Sequence, residues 1–157
     1  KRIMQSPLKA YKRANGAWGL RNQVLILPMH SALSSTARAI ADSSDGAVAI
    51  SHDWSGEKDN DLARIIFTLS GYASNPNIFA TVFLSIGSPE EEQIIKGAQA
   101  LGLTRFTNLL LPEIGSMEKL QQQALSIANG YVKEAKERTS LALGSSCSDC
   151  SRPDHHR

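Results

Sequence analysis

Ile78-Phe79-Ala80-Thr81-Val82-Phe83-Leu84-Ser85-Ile86-Gly87-Ser88-Pro89-Glu90-Glu91 decides the fold class. From Ile78 to Ile86 the run is almost continuously apolar, the pattern of a strand buried on both faces. Ser88-Pro89-Glu90-Glu91 then reads as a helix start. It offers a capping hydroxyl, a first-turn proline, and acidic side chains at the positive end of the helix dipole. A strand covered on both faces that leads directly into a helix belongs in a parallel sheet between helical layers.

The same alternation extends in both directions. Upstream, Val24 to Leu27 is an apolar run, with a helix expected over Ser34 to Ala41. A second run covers Ala47 to Ile50. Leu62, Ile65, Ile66 and Leu69 recur at i, i+3, i+4 and i+7, one face of a helix. Asp59, Asn60 and Asp61 are its expected caps, Gly71 its expected end, and Asn75-Pro76-Asn77 the turn that follows. Downstream, Ile94, Ile95, Ala98 and Leu101 form a second helical stripe, and Phe106 to Leu111 a fourth strand. Met117, Leu120, Ala124, Ile127 and Tyr131 line a last helix capped by Ser116. The order β-α-β-α-β-α-β-α predicts right-handed crossovers and a three-layer, Rossmann-like α/β sandwich, with a mostly parallel sheet of about four or more strands.

With 157 residues the chain is long enough for one domain with a real core. Residues 1–22 read as an N-terminal arm and Gly-rich turn, 23–138 as the α/β domain, and 139–157 as a flexible linker and tail. Hydrophobic content of 41% with 20% charged residues is that of a globular protein, neither fibrous nor disordered. A net charge of +2 gives no sign of nucleic-acid binding. Lys1, Arg2, Lys9, Lys12 and Arg13 crowd the start and read as a solvated arm. No apolar run approaches the roughly 20 residues of a membrane span, and the start does not read as a signal peptide. Cytoplasmic is the expected location. The only two cysteines are Cys147 and Cys150, so no disulfide framework holds the core. With His155 and His156 they contain the elements of a zinc set, but the spacing is short and the segment Ser-rich, and a disordered end is the expectation.

The most specific motif precedes the first strand. Tyr11, Arg13, Gly16, Gly19, Arg21 and Asn22 spell Y-x-R-x-x-G-x-x-G-x-R-N. Two glycines three apart suggest a tight turn where side chains would be in the way. A guanidinium and an amide at the mouth of a buried strand suit a carboxylate or phosphate. This motif resembles the opening of the second, core domain of the altronate/galactarate dehydratases, also called altronate hydrolases. Asn75-Pro76-Asn77 resembles the family's H-P-N, and Gly144-Ser145-Ser146-Cys147 a G-L-x-C that opens its next domain.

The resemblance implies a hydro-lyase of sugar-acid metabolism acting on altronate or galactarate, working with a divalent metal such as iron or manganese. A relative in the family removes sulfite from sulfolactate. The implied partners are a small hydroxy-carboxylate substrate and a downstream family domain or a second copy of the chain. No nucleic acid or membrane is implied.

Ligands in open parallel sheets bind beyond the carboxyl ends of the strands. There the chain departs from the family. The family's strand-end cysteines are replaced by Ala32 after the first strand, by Asp53-Trp54-Ser55-Gly56-Glu57 after the second, and by Gly87-Ser88-Pro89 after the third. Thiolates are soft ligands suited to iron, and neither Ala32 nor Ser88 replaces one. His52 matches a family histidine and is the candidate base, and also a possible metal ligand. Its alternative is an ordinary hydrogen-bonded loop histidine, the preferred reading for His30. Arg21, Asn22, Gly19, Gly87 and Ser88 are the candidate substrate-binding residues. For Ser88 capping alone is a sufficient explanation, and Glu90, Glu91 and Glu92 read as a solvated acidic first turn. The expected function is an incomplete or divergent hydro-lyase. The alternative is a non-catalytic domain that binds a carboxylate or another subunit.

Overall fold

The computed structural model describes residues 9–56, 61–138 and 140–142. The elements are β1 (Lys9–Lys12), β2 (Trp18–Gly19), β3 (Gln23–Pro28), α1 (Ser34–Asp42), β4 (Ala47–Ala49), α2 (Leu62–Ala73), β5 (Ile78–Ser85), α3 (Pro89–Ala100), β6 (Phe106–Leu110), α4 (Leu111–Ile114), α5 (Met117–Glu137) and β7 (Leu141–Ala142). The four predicted apolar runs form one four-stranded sheet in the order β4-β3-β5-β6. Every pairing in it is parallel.

Strand alternation divides the core. Val24, Ile26, Val82 and Leu84 face α1 and α5, packing on Leu33, Ala37, Ile40, Leu120, Ala124 and Ala128. Leu25, Leu27 and Phe83 face the other way, onto Leu69, Ala73, Ile94 and Ala98 of α2 and α3. Successive side chains of one strand thus feed two separate apolar layers, which explains the unbroken hydrophobic run of β5. Two polar groups in β5 are buried and satisfied: Thr81 Oγ1 donates to the Ala73 carbonyl at 3.0 Å, and Ser85 Oγ to Asn108 Oδ1.

Several local expectations shift. α2 runs through Gly71 and ends at Ala73, with Ser74 as its cap. Thr81 secures that last turn through its bond to Ala73. Asp61 begins α2 without a side-chain cap bond, while Asp59 and Asn60 lie outside the described residues. Leu101 lies past the end of α3 and is half exposed. Ser116 caps α5 as expected, accepting from the Lys119 amide at 3.3 Å. The buried stripe of α5, however, is Leu120, Ala124, Ala128, Val132 and Ala135. Met117 is exposed, and Ile127 and Tyr131 flank the stripe, because small residues at 124, 128 and 135 let the helix lie close to the sheet.

Lys9 to Arg13 is no loose arm. β1 pairs antiparallel with β2 on one side and with β7 on the other, forming a second, three-stranded sheet. The zinc elements Cys147, Cys150, His155 and His156 lie outside the described residues.

Candidate functional site

The strand order reverses between β3 and β5, since β4 lies on one side of β3 and β5 and β6 on the other. In open α/β sheets the crevice at the carboxyl ends of such a pair is the preferred ligand site. Three loops border it here: 29–34 after β3, 50–56 after β4, and 86–88 after β5.

The first two loops are laced together. The Ser31 amide donates to the Trp54 carbonyl at 2.8 Å. His30 Nδ1 accepts from the Ala32 amide at 3.1 Å, so its Nε2 carries the proton and donates to the Ser55 carbonyl at 2.8 Å. Both His30 nitrogens are thereby used, as expected of a structural loop histidine. His52 differs. Its Nε2 lies 2.6 Å from the Pro28 carbonyl, which can only accept, so Nε2 bears the hydrogen and Nδ1 the lone pair. Nδ1 is buried and has no hydrogen-bond partner. An orphaned buried acceptor is uncommon and calls for an explanation.

The third loop holds a carboxylate that the sequence reading left in solvent. Glu91 is only 3% exposed. Its Oε1 accepts from the Ile86 amide at 3.0 Å, and its Oε2 from the amides of Gly87 at 2.8 Å and Ser88 at 3.0 Å. Successive amides of this kind, at a helix N-terminus, make an anion site. Here the protein's own side chain fills it. Gly87 has φ +91, a conformation that suits glycine and turns the loop toward Glu91. Gly87 and Ser88 therefore stand at the crevice with their amides already used.

Arg21, Asn22 and Gly19 lie elsewhere, at the amino end of β3 and not at its carboxyl edge. Arg13 is the centre of this region. Its Nε donates to the Pro76 carbonyl at 2.6 Å, one Nη to Asn22 Oδ1 at 2.7 Å and the other to the Arg21 carbonyl at 2.9 Å. Asn22 Nδ2 donates to the Ala135 carbonyl at 2.8 Å, tying in the end of α5. Asn77 Oδ1 accepts from the amides of Leu20 and Arg21 at 2.9 and 3.1 Å. Gly16, at φ +84, makes the hairpin turn between β1 and β2. Gly19 abuts the Pro76 carbonyl, where a Cβ would collide. The opening motif and Asn75-Pro76-Asn77 are thus two halves of one clip. The Arg21 side chain is exposed, and no acidic group pairs with it among the described residues.

The model of the D-galactarate dehydratase/altronate hydrolase family, second domain, matches residues 10–136. The chain belongs to this family. As a second-domain member it carries the clip and the parallel sheet within the matched region. Among known proteins, the beta subunit of (2R)-sulfolactate sulfo-lyase from Chromohalobacter salexigens is 31% identical over 93 residues, which is 59% of this chain and 24% of that subunit. The chain thus spans well under half of that relative's length. No solved structure gives a significant match. The family membership and the lyase name of the relative make this a dehydratase- or lyase-like domain.

Among the described residues the metal that the resemblance implies finds no assembled set of ligands. His30 has both ring nitrogens engaged, whereas His52 spends Nε2 on a backbone carbonyl and keeps Nδ1 as one possible ligand. Glu91 spends both oxygens on amides, and Ala32 offers no donor. Among the described residues no group of three or more His, Cys, Asp or Glu side chains is placed to hold a metal ion. Among them also, no helix is long and apolar enough to cross a membrane.

Proposed function

We propose that this chain serves as the second domain of a lyase acting on a small hydroxy-carboxylate of the altronate or galactarate type, with His52 as the base of the elimination. The observation that carries the reading is the state of His52. The Pro28 carbonyl holds Nε2–H, and the other ring nitrogen, Nδ1, is buried at the carboxyl edge of the sheet without a hydrogen-bond partner. Elimination beside a carboxylate needs a group to remove the α-proton and a second to assist the departing hydroxyl. Nδ1 supplies the first. Because it is shielded from solvent, it acts once substrate shifts the 50–56 loop, and catalytic contacts commonly tighten only in the complex.

The second group, with any iron or manganese the complete protein employs, comes from outside the described residues. The partial coverage of the sulfo-lyase subunit supports a division of labour between this domain and other parts. The test is formation of the 2-keto product from altronate, galactarate and sulfolactate. Two samples are compared under reducing conditions with iron or manganese: the isolated 157-residue chain, and the same chain within its full assembly. Turnover in the enzyme range, about 1–10³ per second, is expected only for the assembly. His52→Gln should lower it by roughly 10²–10⁴-fold. Full activity of His52→Gln, or robust turnover by the isolated chain, contradicts the reading.

A further inference from the structure

A cluster of basic side chains lies away from the carboxyl edge. A cavity of about 350 Å³ opens at the amino end of the sheet, between the β1–β2 hairpin, the start of β5 and the α3–β6 turn. Among the described residues its lining includes Lys12, Arg13, Arg105 and Arg138 together with Asn15 and Asn22, and no carboxylate. Among the described residues one of these cations forms an ion pair: Arg105 with Glu134 at 2.6 Å. Among the described residues, four cations with one ion-paired acid leave three charges without an acidic partner around the cavity. Among the described residues Lys12, Arg13 and Arg138 have no acidic partner.

The cations are also held in place. The Arg105 and Arg138 guanidiniums stand over the ring of the buried Phe79, 4.8 and 5.8 Å from its centroid. Lys12 Nζ lies 5.9 Å from the Trp18 ring. Arg13 is fixed by its three hydrogen bonds. Burial pushes the Arg13 guanidinium below its ordinary pKa; neighbouring Tyr11 opposes this and Arg138 adds to it. Like charges set on a rigid aromatic and backbone frame repel one another, and an anion between them relieves that repulsion.

We infer that this cavity is a second binding site, distinct from the carboxyl-edge crevice, and that it takes a small phosphate-bearing anion. The charge count favours phosphate over a lone carboxylate, which would leave two cations uncompensated. Guanidiniums present paired N–H donors that match phosphate oxygens, and the volume is that of a small-molecule site. The site does not rest on the lyase reading, since none of its residues borders the crevice.

The test is titration of the 157-residue chain with inorganic pyrophosphate, followed by calorimetry and by the side-chain Nε resonances of its arginines. Citrate serves as the carboxylate control. Saturable binding is expected, with Arg105 and Arg138 shifting and pyrophosphate favoured over citrate. Arg138→Ala and Lys12→Ala, both at exposed positions on different walls, should each weaken it by roughly tenfold. The inference is overturned by any of three results: no saturation at millimolar pyrophosphate, equal or tighter binding of citrate, or unchanged affinity in both variants.

Discussion

Gly19→Ala tests whether the opening motif is a clip or a ligand site. An alanine Cβ at this position would overlap the Pro76 carbonyl and lie 3.1 Å from the Asn77 amide nitrogen. Those are backbone atoms, and they are tied down. Arg13 Nε holds the Pro76 oxygen at 2.6 Å, and the Gln23 amide holds the Asn77 oxygen at 3.1 Å. Relief therefore requires the hairpin to lift from the β5 entry turn. Overpacking of this kind costs roughly 1–3 kcal/mol. Loss of the charged Arg13–Pro76 bond adds roughly 1.5–3 kcal/mol. A total of about 2.5–6 kcal/mol corresponds to a melting-point drop of roughly 5–24 °C for a chain of this size.

Gly130→Ala is the control. It sits on the exposed face of α5 with open space at its Cβ, so removing a helix-interior glycine should stabilise by about 0.5–1 kcal/mol. Thermal and urea denaturation of both variants, with amide exchange across 9–22, reads the result. A Gly19→Ala protein that melts within a degree or two of the parent, with the hairpin still protected, refutes the close approach.

Two further perturbations probe buried groups. Glu91→Gln keeps the shape but removes the charge that accepts three backbone amides, and should cost about 2–4 kcal/mol in urea unfolding; an unchanged midpoint would show that the carboxylate does not hold the loop. Gly97→Ala gains helix propensity of about 1 kcal/mol but sets a Cβ 2.5 Å from Ser70 Oγ, which itself donates to the Ile94 carbonyl. A net loss of about 1–3 kcal/mol is expected, smaller than additive when combined with Ser70→Ala, and strict additivity in that double-mutant cycle would argue against the α2–α3 contact.

The strand and helix pattern was legible because burial on one or both faces of an element is written in local periodicity. Val24 to Leu27 and Ile78 to Ile86 needed no partner to be recognised as buried strands, and the α/β class followed. The division of labour within the motifs was not legible. Glu91 reads as a surface acid beside Glu90 and Glu92, and only the bend at Gly87 brings three amides within its reach. Arg13 reads as part of a basic arm, and only the approach of Pro76, 63 positions away, makes it the centre of a clip. Arg21 and His52 both stand out in the sequence as candidate site residues, yet the sheet places them at opposite ends of its strands. Arg105 and Arg138 drew no notice, because it takes Phe79 between them to make two scattered arginines a cationic wall. Periodicity reports what an element buries. Which charge meets which amide depends on contacts between distant parts of the chain, and those arise only when the layers close on one another.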